Sequence, residues 1–119
     1  MNIFDFNRLY RTRIKGTGIT GSTVYLKLDP VEPGTIRVLT HVTVENKTSA
    51  YTLLRLSIYD GATDFVIDEC QQPAADELAI HKQDILLGER DVLRATLTGT
   101  TTDDDLELLA IGWEMIRSR

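Results

Sequence analysis

Apolar side chains return at every second position through most of the chain, the spacing that lines one face of a β-strand. In STVYLKLD at 22–29, Val24, Leu26 and Leu28 share one face while Thr23, Tyr25 and Lys27 share the other. TIRVLTHVTVEN at 35–46 sets Ile36, Val38, Val42 and Val44 against Arg37, His41, Thr43 and Glu45. YTLLRLSIYD at 51–60 repeats the pattern with Leu54, Leu56 and Ile58. VLRATLT at 92–98 does so with Leu93, Ala95 and Leu97 inward and Arg94, Thr96 and Thr98 outward. β-Branched residues and threonine are frequent in these runs, as half-buried strands favour.

Turn compositions separate the runs: DPVEPG at 29–34, ENKTSA at 45–50, DGAT at 60–63, QQPAAD at 71–76, LGERD at 87–91 and GTTTDD at 99–104. Short strands punctuated every 8–12 residues predict an all-β fold, an antiparallel sandwich of about eight strands. A jelly roll fits that count, with an immunoglobulin-like sandwich as the alternative. AADELAIHKQDILL at 74–87 has room for a turn of helix, although Ile80, Ile85 and Leu87 also suit strands. The last run changes phase: Leu106, Leu108 and Ala110 alternate, then Ile111, Trp113 and Met115 resume one position out of step at Gly112. Either a β-bulge sits at the glycine, or both faces are buried there, one by the core and one by a neighbouring subunit.

The stretch GTTTDDDLELL at 99–109 lines up three carboxylates, Asp103, Asp104 and Asp105. The inward sets on either side match an antiparallel hairpin, which would make 99–104 its solvated tip. Calcium loops space their carboxylates at alternate positions around a glycine, so three in a row do not predict a metal site.

Charge divides the chain unevenly. The net charge is −5, but residues 1–18 carry Arg8, Arg11, Arg13 and Lys15 against Asp5 alone. Between Leu56 and His81 there is no Lys or Arg, and Asp60, Asp64, Asp68, Glu69, Asp76 and Glu77 form an acidic flank. An acidic body repels phosphate, so the folded domain is not expected to bind nucleic acid. No apolar run approaches the roughly 20 residues of a membrane helix. Neither a secretory signal nor a disulfide framework is legible, because the N-terminus mixes charge with aromatics and Cys70 stands alone. Synthesis in a reducing cytoplasm follows as the expectation.

The chemistry of a catalyst is missing from the pattern. His41 lies on a polar strand face and His81 in a loop-like segment, without metal-ligand spacing. Cys70 has no adjacent base, and KGTGITG at 15–21 lacks the order of a phosphate-binding loop. No enzyme, metal or cofactor is expected. Residues 1–18 read as an arm with a glycine hinge, and 19–119 as the sandwich domain. An ordinary first strand of the same sheet is the other reading of the arm. Phe4, Phe6, Leu9 and Tyr10 sit beside Arg8, Arg11, Arg13 and Lys15. Such a segment would be sticky in water, and its charge is opposite to that of the acidic flank. A homo-oligomer is therefore expected, with the arm of one chain docked on the flank of the next.

The C-terminal half resembles the closing strands of small jelly-roll structural proteins of tailed-phage virions. The resemblance rests on Leu86, Leu87, Gly88, Asp91, Leu93, Thr98, Gly99, Leu106, Leu108, Gly112 and Trp113, and VTVENKT at 42–48 is similar to the preceding strands, so it spans roughly 35–116. Trimeric jelly rolls of the tumour-necrosis-factor and complement-C1q type share part of that phrase, but here Glu89 and Arg90 separate Gly88 from Asp91. The resemblance implies a capsid decoration or cement protein, a trimer made in the host cytoplasm that joins the major capsid protein or other virion proteins. A tail, neck or baseplate component is the alternative. So is a carbohydrate- or receptor-binding module, which would need an aromatic platform from Tyr25, Tyr51, Tyr59 or Trp113.

Overall fold

The computed structural model describes residues 5–117, with side chains from Arg8 to Ile116. Nine strands follow one another: β1 (Asp5–Thr17), β2 (Val24–Lys27), β3 (Thr35–Asn46), β4 (Leu53–Tyr59), β5 (Asp64–Gln71), β6 (Ala79–His81), β7 (Ile85–Leu87), β8 (Val92–Thr98) and β9 (Asp105–Arg117). All pairings are antiparallel. A five-stranded sheet runs β1-β9-β3-β6, with β7 also on β3, and a four-stranded sheet runs β2-β8-β4-β5. The two form an unclosed sandwich of jelly-roll type. The segment 74–87, where a turn of helix was possible, holds the short strands β6 and β7.

The core comes from the alternation already visible in the chain. Leu26, Leu54, Leu56, Leu93, Ala95 and Leu97 of one sheet meet Leu39, Val42, Val44, Leu106, Leu108 and Ala110 of the other. Strand β3 departs from the expected phase. Leu39 faces Gly112 and His41 faces Ile111, which leaves Thr40 as an extra, bulged residue. The bulge lets Leu39 and Val42 both enter the core. Consequently Arg37 is buried and Ile36 is exposed, the reverse of the regular pattern. Strand β9 keeps strict alternation through Gly112, so the irregularity expected there lies on its neighbour. The glycine serves the bulge: a Cβ at Gly112 would overlap the Val38 carbonyl and stand 2.8 Å from the Leu39 Cα.

The expected hairpin of β8 and β9 does not form. Strand β8 pairs with β2 and β4, whereas β9 pairs with β1 and β3, so residues 99–104 cross between sheets. Nor is Asp104 at a solvated tip, for it is 1% exposed. Its carboxylate accepts hydrogen bonds from Asn46 Nδ2, the Thr101 N–H and Ser49 Oγ, each at 2.8 Å. The threonines have partners too, since Thr100 and Thr102 accept from the N–H groups of Ile19 and Thr20 at 3.2 Å. Asp104 thus ties together three loops at one end of the sandwich. Burial disfavours its charge, but the three donors outweigh that and hold the carboxyl below the usual aspartate range.

Residues 5–17, read above as part of a projecting arm, form the long edge strand β1 against β9 of the same chain. Within the glycine segment, Gly16 and Gly18 are closely packed while Gly21 is open to solvent. Gly18 is buried, donates its N–H to the Asp104 carbonyl at 2.9 Å, and leaves no space for a Cβ beside Thr101 and Asp104. At the far end of β1, Arg8 on β1 and Arg37 on β3 share Glu114 on β9, which lies between them. Arg8 Nε reaches Glu114 Oε1 at 2.8 Å and Arg37 Nε reaches Oε2 at 2.9 Å. Arg37 also donates to the Asp29 carbonyl at 2.8 Å and stacks 4.1 Å from the Tyr10 ring centre. Burial opposes the Glu114 charge, and the two guanidiniums reverse that, lowering its pKa.

Two outcomes follow. Folded-state pKa values lowered at Asp104 and Glu114 add stability above the unfolded values of about 4 and lose it as pH falls below them. Asp104→Asn should cost about 2–3 kcal/mol at pH 7 by urea unfolding, and that gap should narrow toward pH 3. A gap independent of pH would show that the charge is not what matters. Removing residues 1–15 strips β9 of a neighbour, so circular dichroism and thermal melting should show a chain without a cooperative transition. A truncated chain that melts like the full one would contradict the role of β1.

Candidate functional site

The outward side of a solvated antiparallel sheet ordinarily alternates to polar residues. The five-stranded sheet does so at one end only. Near the Asp104 end, Lys15, Glu107 and Glu45 lie in one row across β1, β9 and β3. Toward the other end the rows become apolar. Leu9, Trp113, Val38 and Leu86 stand side by side across β1, β9, β3 and β7. Met115 and Ile36 form the next row, and Ile111 lies in the row on the other side. Leu9 is 65% exposed, Leu86 69% and Ile36 47%. Ile111, Trp113 and Met115 thus occupy the outward side of β9, opposite Gly112 and Glu114 on the inward side. Arg11 and Arg13 border this patch along β1, and Arg11 has no ion-pair partner among the described residues.

A second exposed surface is strand β5, the free edge of the four-stranded sheet. Phe65, Val66 and Ile67 are all at least 37% exposed, and Asp64, Asp68 and Glu69 flank them. The β4–β5 pairing shifts register between Leu56 and Ser57, where Ile67 is the extra residue. That bulge makes the edge a poor template for an added strand.

Between β5 and β6 the sandwich is open, and a cleft of about 270 Å³ reaches down to Val42, Val44, Leu54 and Leu56. This is just under the range of about 300–1,000 Å³ of ordinary ligand pockets. His81 Nδ1 and Asp68 Oδ2 meet across it at 2.7 Å, joining the two sheets. The bond to His81 lowers the Asp68 pKa. Cys70 lines the same cleft, but burial, together with Glu77 and Asp68, pushes its thiol pKa up. A protonated thiol is a weak nucleophile. No group of three metal-ligating side chains occurs among the described residues. The pair acts as a clasp at the open side of the sandwich.

On the outer face of the four-stranded sheet, Arg94 lies between two tyrosine rings, 4.8 Å from the centre of Tyr25 and 4.6 Å from that of Tyr59. Asp64 pairs with Arg94 at 3.2 Å. Tyr25 is 52% exposed.

The residues singled out from the sequence are distributed as follows. Leu9, Arg11, Arg13 and Lys15 share the outer face of β1, while Arg8 and Tyr10 belong to the Glu114 cluster on its other face. Arg13 and Lys15 already face Glu107 at 3.7 Å and Asp105 at 3.5 Å. Phe4 and the Phe6 side chain lie outside the described residues. The acidic flank is not one surface. Asp60 accepts from the N–H groups of Ala62 and Thr63 in its turn, Glu69 pairs with Arg55 at 2.8 Å, and Asp76 and Glu77 occupy the loop before β6. The residues of the virion-type phrase are chiefly architectural: Leu87, Leu93, Leu106 and Leu108 are core, and Gly112 admits the β3 bulge. The exposure of Ile36 and Leu86 was not legible, and for Ile36 the reason is the bulge, which turns it and the still buried Val38 to the outer side without a mark in the sequence.

No protein-family model and no curated protein matches the chain. Among solved structures, a chain from the Bacillus endospore appendages, described as disulfide-linked pili, is similar at 12% identity, with 96% of this chain and 91% of that chain covered and a TM-score of 0.55. A chain of infectious bursal disease virus, Gt strain, is similar at 13% identity over 96% of this chain and 33% of that one, with a TM-score of 0.44. An exo-β-1,3-galactanase from Phanerochaete chrysosporium, solved with galactose, is similar at 12% identity over 89% of this chain and 29% of that one, with a TM-score of 0.41. At such identities the first likeness speaks for fold alone, and the other two add nothing to it. The chain is a jelly-roll-like β-sandwich.

Proposed function

We propose that the chain is a structural virion protein of the capsid decoration type, working by surface burial and not by catalysis. The observation that carries this reading is the apolar outer face where exposed Leu9, Ile36 and Leu86 surround half-buried Trp113 and Met115 and buried Val38. Apolar surface of that kind on one face of a small domain marks a contact site. Support also comes from the resemblance over 35–116. The partners are further copies of the chain, arranged as trimers, and the major capsid protein. Each contact is modest, and many held at once give the avidity that reinforces a shell. The protein is made in the host cytoplasm and ends in the virion. A tail, neck or baseplate position would draw on the same surface.

A glycan-binding module is the second reading, and the Tyr25–Arg94–Tyr59 stack favours it, because the exposed Tyr25 ring can carry a sugar face. Two measurements separate the readings. The purified protein should pellet with empty tailed-phage heads that lack their decoration protein and raise the temperature at which those heads open. Glycan-array binding that Tyr25→Ala reduces at least about tenfold would instead support the second reading, corresponding to roughly 1.4 kcal/mol of contact energy.

A further inference from the structure

Two unpartnered apolar surfaces on one molecule carry opposite flanking charge. The outer face of the five-stranded sheet is bordered by Arg11 and Arg13, both exposed. The β5 edge presents Phe65, Val66 and Ile67 between Asp64 and the pair Asp68 and Glu69. We propose that the β5 edge of one copy docks on this outer face of a second copy, in a head-to-tail contact. The proposal rests on the assembly reading above and names the partner for its surface.

The contact joins unlike surfaces for a physical reason. Two β5 edges set against each other would bring Asp64, Asp68 and Glu69 against their own kind, and like charges directly opposed are unfavourable. The outer face offers cations beside its apolar rows instead. The two surfaces belong to different sheets, so one pair of copies leaves a free face on one protomer and a free edge on the other. Such a contact repeats until it closes into a ring, as in a trimer, or extends as a filament. Anchoring falls to side chains, Phe65 and Ile67 against Leu9, Trp113 and Leu86, because the bulge at Ile67 disfavours strand addition. The rim charges steer the encounter and make it salt-dependent.

The test uses two variants altered only at exposed positions. The face variant carries Leu9→Glu and Leu86→Glu, and the edge variant carries Phe65→Lys and Val66→Lys, with circular dichroism confirming that both fold. Sedimentation velocity should show wild type at three protomers or more, and each variant alone as a monomer. An equimolar mixture of the two should form dimers and nothing larger, because the intact edge of the face variant meets the intact face of the edge variant. A monomeric wild type, a variant that keeps the wild-type mass, or a mixture that stays monomeric would each overturn the proposal. Its failure is distinguishable from that of the virion reading: wild type that assembles head-to-tail yet does not bind phage heads leaves this contact standing and removes the decoration role.

Discussion

Strand β9 can serve both sheet and surface only because its register is held at each end by a buried carboxylate. Asp104, one residue before the strand, takes three hydrogen bonds from the loops around it. Glu114, near its far end, is clamped between Arg8 and Arg37 from the neighbouring strands. A slip of one residue would exchange the faces, burying Trp113 and Ile111 and exposing Leu106 and Leu108. It would also carry both carboxylates away from their donors and leave Arg37 buried without its partner, a cost of several kcal/mol for that charge. The apolar residues alone specify this register weakly, because beyond Ala110 the apolar set Ile111, Trp113 and Met115 lies on the outward side while Gly112 and Glu114 lie inward. Charge pairing supplies the discrimination that hydrophobicity lacks.

With the register held, the rest of the surface follows. The β3 bulge at Thr40 and the absent side chain of Gly112 are two halves of one contact. Together they turn Arg37 inward to Glu114 and Ile36 and Val38 outward to join Leu9 and Leu86. One backbone irregularity thereby completes the Arg–Glu–Arg cluster and assembles the exposed apolar rows. The cluster and the exposed apolar rows lie on opposite faces of the same strands.

The charge split in the sequence has a divided outcome. Of the cations in the first strand, Arg8, Arg13 and Lys15 pair inside the chain, and the flank acids Asp64, Asp68 and Glu69 pair with Arg94, His81 and Arg55. Apart from Arg8, whose partner Glu114 is buried, these are exposed pairs that add little to stability. The exposed charges border the apolar surfaces of β1 and β5.

Much of the fold was legible in the chain itself. Alternation between Ser22 and Ala110 located most strands and most core residues, because a pleated strand buried on one face must repeat with period two. Turn compositions located most of the breaks for an equally local reason. What only the tertiary structure decided was pairing. Antiparallel strands with matching apolar faces are interchangeable in sequence, so β8 and β9 looked like a hairpin although they belong to opposite sheets. Burial of Asp104 required donors from positions 46, 49 and 101, of which two are remote in the chain and carry no sign of their target. The apolar outer face depended on a bulge that Thr40 does not announce, and a bulge changes the side of every residue before it. Local periodicity determines which residues can share a face; which face meets the core is settled only when the strands choose their neighbours.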